Sequence, residues 1–95
     1  MRLTPYQQKA IKRHFLETFK EGEIYLFGSR VDDSAKGGDI DLYLTVSDLK
    51  DLAIKRVKFL VVLKRDIGEQ KIDVVFNRGR NRLIDKIAKE QGVRL

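Results

Sequence analysis

The chain contains no cysteine, no tryptophan, one histidine and one proline among its 95 residues. The absence of cysteine excludes disulfide bonds, a thiolate nucleophile and a zinc site built on cysteines. A single histidine, His14, disfavours histidine-rich metal sites and Ser-His-Asp triads, and we interpret it as a partly exposed helix residue. Any chemistry must therefore rely on carboxylates.

Long apolar segments are also missing. No apolar run approaches the roughly 20 residues that a membrane span requires, and the N-terminal sequence has no apolar signal-peptide core. We therefore expect a soluble, cytoplasmic protein that does not contact a membrane. Residues 1–95 suffice for a single domain with one modest core. The net charge of +6 fits either a solvated basic surface or an anionic ligand such as a nucleotide.

The hydrophobic pattern predicts an α/β fold with the element order α-β-β-α-β-α. A capping box at Thr4-Pro5-Tyr6-Gln7 opens the first helix, whose apolar stripe recurs every fourth residue. Short apolar or alternating runs predict strands over 24–27, 39–46 and 71–76. A helix of about 19 residues follows Ser47-Asp48, and a last helix stops at Gly92. These elements predict a small mixed β-sheet packed against α-helices.

The second helix carries an apolar segment, "FLVVL", that exceeds what one helix face can bury. Two interpretations stay open for the surplus. It either packs in the core against the first helix, or forms an interface with a partner.

Three aspartates lie in strand segments, opposite the apolar residues. Asp39 and Asp41 point the same way because they are two residues apart, and Asp73 interrupts the apolar strand "KIDVVF". If these strands are neighbours, the carboxylates converge and repel one another, so we expect a cation among them. Hard oxygen ligands favour Mg²⁺ or Mn²⁺. Tyr43 shares this face, either as an ordinary strand residue or as a ring that stacks on a base.

A glycine-serine pair precedes these aspartates. Gly28-Ser29 directly follows a predicted buried strand, where glycine allows close approach to a phosphate, and Arg30 adds a suitable charge. Each feature alone is common in surface loops, and aspartates on a strand edge are often simply solvated. Their order and spacing are more specific than any single feature.

The segment "FGSRVDDSAKGGDIDLYL" resembles the Gly-Ser-x(9)-Asp-x-Asp signature of the DNA polymerase β-like nucleotidyltransferases, and "KIDVVF" resembles the strand that carries their third aspartate. The likeness is greatest to the minimal nucleotidyltransferases that act as antitoxins in prokaryotic HEPN/MNT toxin-antitoxin pairs. It extends over nearly the whole chain. The resemblance implies a nucleotidyltransferase fold, a nucleoside triphosphate such as ATP as substrate, and two Mg²⁺ ions, with Mn²⁺ as a substitute.

The resemblance also implies residue roles. Gly28 and Ser29 would hold the β- and γ-phosphates, and Arg30 would assist them. Asp39 and Asp41 would bind both metal ions.

The third aspartate of the pattern has a separate implied role. Asp73 would complete the acceptor-side metal site and help to deprotonate the incoming hydroxyl. Two metal ions ~4 Å apart can stabilise attacking and leaving oxygens together, so this chemistry needs no histidine.

Three hypotheses for function follow. The first is an enzyme that transfers a nucleoside monophosphate, AMP from ATP, to a hydroxyl of a partner protein, a tyrosine of a cognate HEPN-type toxin. The second is an antitoxin or nucleotide-binding module that neutralises its partner by contact without catalysis. The third, direct nucleic-acid binding through the basic charge, is disfavoured because no aromatic-rich sheet motif or DNA-reading helix is visible.

Overall fold

The computed structural model describes residues 3–28, 39–77 and 92–95. In this part of the chain a mixed four-stranded sheet packs against two helices, so the predicted α/β class and the order α-β-β-α-β are confirmed. The predicted last helix lies outside the described residues. The elements are α1 Pro5–Phe19, β1 Glu23–Phe27, β2 Ile40–Thr45, α2 Leu52–Ile67, β3 Ile72–Asn77 and β4 Val93–Arg94.

Helix α1 begins as the capping box predicts. The Thr4 hydroxyl oxygen accepts a hydrogen bond from the Gln7 backbone N–H at 3.0 Å, and the Gln7 side-chain oxygen accepts one from the Thr4 N–H at 3.0 Å. Pro5 occupies the first turn, where its missing N–H is not needed. The helix ends at Phe19, and Lys20 then adopts a left-handed conformation with φ of 73°.

The sheet has the strand order β3-β2-β1-β4. Strand β2 runs antiparallel to β1 and parallel to β3, and β4 runs antiparallel to β1. Helix α2 therefore forms the crossover between the two parallel strands. This arrangement brings the end of β1 and the beginnings of β2 and β3 to the same edge of the sheet.

One face of the sheet and the inner faces of both helices form the core. Phe19 lies at its centre, with ring centroids 5.5 Å from Phe15, 5.9 Å from Phe59 and 5.6 Å from Phe76. Alternation along the strands sends every second side chain to this face. The strand residues buried in the core are Ile24, Leu26, Ile40, Leu42, Leu44, Ile72, Val74 and Phe76.

Helix α2 starts later than predicted, and only part of its apolar surface is buried. It begins at Leu52 rather than directly after Ser47-Asp48, because Asp51 adopts a left-handed conformation with φ of 56°. The fully buried residues of α2 are Phe59 and Leu63. Apolar residues occupy two sides of this helix, so the helical period alone does not identify the side that is buried.

The outer side of α2 carries an exposed apolar stripe, formed by Ile54, Val57 and Val61. Spacings of three and four residues place these side chains along one line of the helix surface. Within "FLVVL", Phe59 and Leu63 are buried whereas Val61 is 44% exposed, so the core uses only part of this apolar segment. None of the helices in the described segments has the length and apolarity needed to cross a membrane.

A polar cluster joins α1 to α2. The Asp66 carboxylate accepts hydrogen bonds from the Arg13 guanidinium at 2.6 Å and the Tyr6 hydroxyl, and lies 2.8 Å from Nε2 of His14. Hydrogen bonds from Tyr6 and His14 lower the pKa of Asp66. The single histidine is a partly exposed helix residue, as predicted, and it also takes part in this contact between the two helices.

Strand β4 was not predicted. Its two residues pair with β1, and the Leu95 N–H donates to the Ile24 carbonyl at 2.9 Å. A strand this short has no alternating pattern that a sequence could show.

Candidate functional site at the start of β2 and β3

Two of the three aspartates that were expected to converge, Asp41 and Asp73, lie side by side on β2 and β3. The parallel register sets Asp41 directly beside Asp73, and the antiparallel register sets Phe27 on the other side of Asp41. Neighbouring strands lie ~4.8 Å apart, so the two carboxylates share one small area of the sheet surface. They lie on the face opposite the helices because the flanking residues Ile40 and Leu42 are buried in the core.

The electrostatics of Asp41 reflect this crowding. Partial burial raises the pKa of Asp41, and the negative charges of Asp73 and Asp39 and a hydrogen bond with Asp73 raise it further. The positive charge of Lys71 acts in the opposite direction. A cation placed between the carboxylates would therefore be stabilised, since it would remove the repulsion that favours the protonated form.

Gly28 lies directly against Asp41. A Cβ atom at position 28 would stand 2.4 Å from Oδ2 of Asp41, and Gly28 has φ of +79°, which favours glycine. The positive φ therefore favours the glycine of the predicted Gly-Ser pair, and a larger residue there would force the Asp41 carboxylate to shift. A side chain at position 28 would therefore press on the oxygens of Asp41.

Lys71 is a site residue that the sequence interpretation missed. Ile40 pairs with Ile72, so the residues that precede them, Asp39 and Lys71, also stand side by side. The Lys71 Nζ lies 3.4 Å from Oδ2 of Asp39, and the Ile40 N–H donates to the Lys71 carbonyl at 3.0 Å. The signal was present in "KIDVVF", since a residue two positions before Asp73 shares its face.

The side chains of Asp39, Asp41 and Asp73 all offer carboxylate oxygens, which are the ligands that a hard divalent cation prefers. Among residues 3–28, 39–77 and 92–95, no three acidic or histidine side chains are gathered closely enough to form a metal site by themselves. Asp41 interacts with Asp73, whereas Asp39 contacts Lys71. Binding of an ion by all three carboxylates would require Asp39 to leave Lys71.

The remaining predicted site residues have different outcomes. Ser29 and Arg30, the predicted phosphate ligands beside Gly28, lie outside the described residues. Tyr43 is fully buried at 0% exposure, with its ring centroid 6.2 Å from that of Tyr25. Its ring is not open to a nucleotide base, so the stacking interpretation is wrong and Tyr43 is a buried strand residue.

Comparison of the chain with protein-family models gives no match, and a search of curated proteins gives none either. Assignment of a function therefore depends on the residues and their geometry.

Proposed function

We propose that the protein is a Mg²⁺-dependent nucleotidyltransferase that transfers a nucleoside monophosphate, AMP from ATP, to a hydroxyl of a partner protein. The partner that the sequence resemblance suggests is a HEPN-type toxin, which the transfer would silence in the cytoplasm. The observation that supports the proposal is the pairing of Asp41 with Asp73 on adjacent strands, with Gly28 packed against the Asp41 carboxylate.

The roles proposed for the carboxylates follow from their placement. Asp39 directly precedes β2 and Asp41 is the second residue of that strand, and the two would hold two Mg²⁺ ions, with Mn²⁺ as a substitute, while Asp73 would complete the site from β3. When bound, the two ions supply charge stabilisation for the attacking and leaving oxygens. Asp73 would also accept the proton of the incoming hydroxyl, whose oxygen then attacks the α-phosphorus as pyrophosphate leaves.

The phosphate side of the site depends on Gly28 and its neighbours. Gly28 directly follows β1 and lies against the Asp41 carboxylate, and its lack of a side chain would let a triphosphate approach the backbone there. Ser29 and Arg30 follow in the sequence and would contact the phosphate oxygens.

The direct test is transfer of label from ATP labelled at the α-phosphate. The purified protein is incubated with labelled ATP, Mg²⁺ and the product of the neighbouring gene, and the acceptor is identified by mass spectrometry. We expect transfer by the wild type and loss of at least a hundredfold in Asp41→Asn and Asp73→Asn. Asp48→Asn, an exposed aspartate at the far end of β2, is the matched control and should transfer normally. Equal transfer by all four proteins would refute the assigned roles.

A second candidate function is neutralisation of the partner by contact alone. The exposed stripe of Ile54, Val57 and Val61 favours it, because an apolar line on a helix surface is typical of a contact site. Protection of cells against the partner separates the two hypotheses. If Asp39→Ala/Asp41→Ala protects as well as the wild type, contact suffices and the enzymatic proposal fails. If Val57→Asp loses protection while purified enzyme still transfers label to a small acceptor, both contact and chemistry are needed.

A further inference from the structure

Lys71 lies beside the carboxylates of the proposed site, in contact with Asp39 and close enough to act on the charge of Asp41. It precedes β3 by one residue, and its carbonyl accepts the hydrogen bond that begins the pairing of β3 with β2. The backbone at this position is therefore fixed by the sheet. From it the side chain reaches across to Asp39, with Nζ 3.4 Å from Oδ2.

The contact divides the three carboxylates into two groups. Asp41 interacts with Asp73, and Asp39 forms an ion pair with the ammonium of Lys71 while its negative charge still acts on Asp41. An ammonium and a divalent cation use the same oxygen lone pairs of a carboxylate, so both cannot occupy Oδ2 at once. The Lys71 side chain is 72% exposed, which means that solvent can receive it when it leaves Asp39.

We propose that Lys71 is a built-in counter-ion of Asp39 that a divalent cation must displace, so that Lys71 sets the metal concentration at which the site fills. This inference rests on the proposed metal-dependent function and adds a positioning residue to it. Lys71 keeps Asp39 ion-paired and turned toward β3 until a metal ion arrives. Filling of the site would then require a metal concentration a few times higher than it would without Lys71.

The size of the effect follows from the exposure of the pair. Exposed ion pairs shift an equilibrium by a factor of about two to five, well below the effect of a buried pair. Removal of the Lys71 charge should therefore tighten divalent-ion binding about fivefold. Loss of one positive charge anywhere on the surface also favours cation binding slightly, and this general effect needs its own control.

The chain supplies that control in Lys55. Its Nζ lies 3.6 Å from Oδ2 of Asp48, so it forms a similar lysine–aspartate pair. Asp48 follows β2 whereas Asp39 precedes it, so this second pair lies at the opposite end of the strand. Lys55→Met removes the same charge and the same kind of pair as Lys71→Met, away from the proposed site.

The experiment is a titration with Mn²⁺, followed by electron paramagnetic resonance of the unbound ion, on folded protein without nucleotide. Circular dichroism melting first establishes that each variant is folded. We expect Lys71→Met to lower the apparent Kd about fivefold, Lys55→Met to change it by less than about 1.5-fold, and Lys71→Arg, which keeps the charge, to restore the wild-type value.

The outcomes separate this inference from the proposed function. If the wild type binds Mn²⁺, Asp41→Asn abolishes binding and Lys71→Met leaves the Kd unchanged or raises it, the counter-ion role is refuted and the metal site stands. If Lys71→Met and Lys55→Met tighten binding equally, only the overall charge matters and the counter-ion role is again refuted. If neither the wild type nor Lys71→Met binds Mn²⁺, the metal-dependent function fails and the inference fails with it.

Discussion

Replacing Asp41 by asparagine should make the protein more stable while it removes the proposed metal binding. The pKa of Asp41 is raised by burial and by the charges of Asp73 and Asp39, so its ionised form is unfavourable in the folded protein. Two unit charges ~5 Å apart, one strand spacing, repel by about 0.8 kcal/mol at the dielectric constant of water and by about 3 kcal/mol at the effective value of about 20 near a protein surface. Partial exposure places this pair toward the lower figure. We therefore expect Asp41→Asn to raise the free energy of unfolding by about 1 kcal/mol.

Thermal melting followed by circular dichroism, in buffer with a metal chelator, measures this gain. For a domain of this length, 1 kcal/mol corresponds to a rise in Tm of about 4–8 °C. Asp48→Asn makes the same chemical change, but we expect it to lower the Tm rather than raise it. The Asp48 carboxylate accepts a hydrogen bond from the Lys50 N–H at 2.9 Å, which lowers its pKa, so loss of its charge should lower the Tm.

The pH dependence provides a second test. Because the pKa of Asp41 is raised above its ordinary value of 3.8, the folded protein binds this proton more tightly than the unfolded chain does. Binding of this proton stabilises the folded protein by its full amount below pH 3.8. That stabilisation is lost as the pH rises through the pKa of Asp41 in the folded protein. The stability gain of Asp41→Asn should therefore be full near pH 7 and shrink as the pH falls toward about 4. A Tm for Asp41→Asn equal to or below that of the wild type at pH 7 would refute the repulsion argument.

Three further substitutions test other contacts. Gly28→Ala should weaken Mn²⁺ binding at least tenfold, because the new Cβ would collide with the adjacent carboxylate, whereas Gly68→Ala, with open space around it, should leave binding unchanged in the same titration. Asp66→Asn should lower the Tm at neutral pH by breaking the contact between the helices, and this loss should fade as the pH falls through the lowered pKa of Asp66. Phe59→Ala should cost about 3–5 kcal/mol in urea unfolding, while Val57→Ser should stay within about 0.5 kcal/mol.

Each of these expectations has a contrary result. Equal Mn²⁺ affinity in the two glycine variants would show that the close approach at Gly28 does not shape the site. A Tm for Asp66→Asn equal to that of the wild type would mean that the interhelical cluster contributes nothing to stability. Similar losses from Phe59→Ala and Val57→Ser would contradict the assignment of inner and outer faces to α2.

The part of the fold that the sequence could predict is the part encoded by local patterns. Alternation along 39–46 and 71–76 identified both strands and the face on which Asp41 and Asp73 lie. The capping box located the start of α1 to the residue. Helix α2 was harder, because its apolar residues occupy two sides and only tertiary packing selects Phe59 as buried.

Contacts between residues that are distant in the sequence were harder to predict from it. The pairing of Asp39 with Lys71 depends on the parallel register of β2 and β3, which a single sequence does not encode in its local pattern. The interhelical role of His14 depends on the packing angle of α1 against α2 in the same way. Tyr43 was assigned to the correct face, but its burial depends on neighbours that strand alternation does not reveal.

The alternation of β2 also bears on how the chain selects its native pairing as it folds. A strand that slipped by one residue against β1 would turn Asp41 toward the helices and Leu42 toward the opposite face. Burial of an unpaired carboxylate among aliphatic and aromatic side chains costs several kcal/mol, so the slipped pairing would be rare. Asp41 and Asp73 thus disfavour sheets with the wrong strand register, independently of any ligand. Substitution of Asp41 and Asp73 by apolar residues would remove this penalty on the wrong register and favour misfolded or aggregated chains.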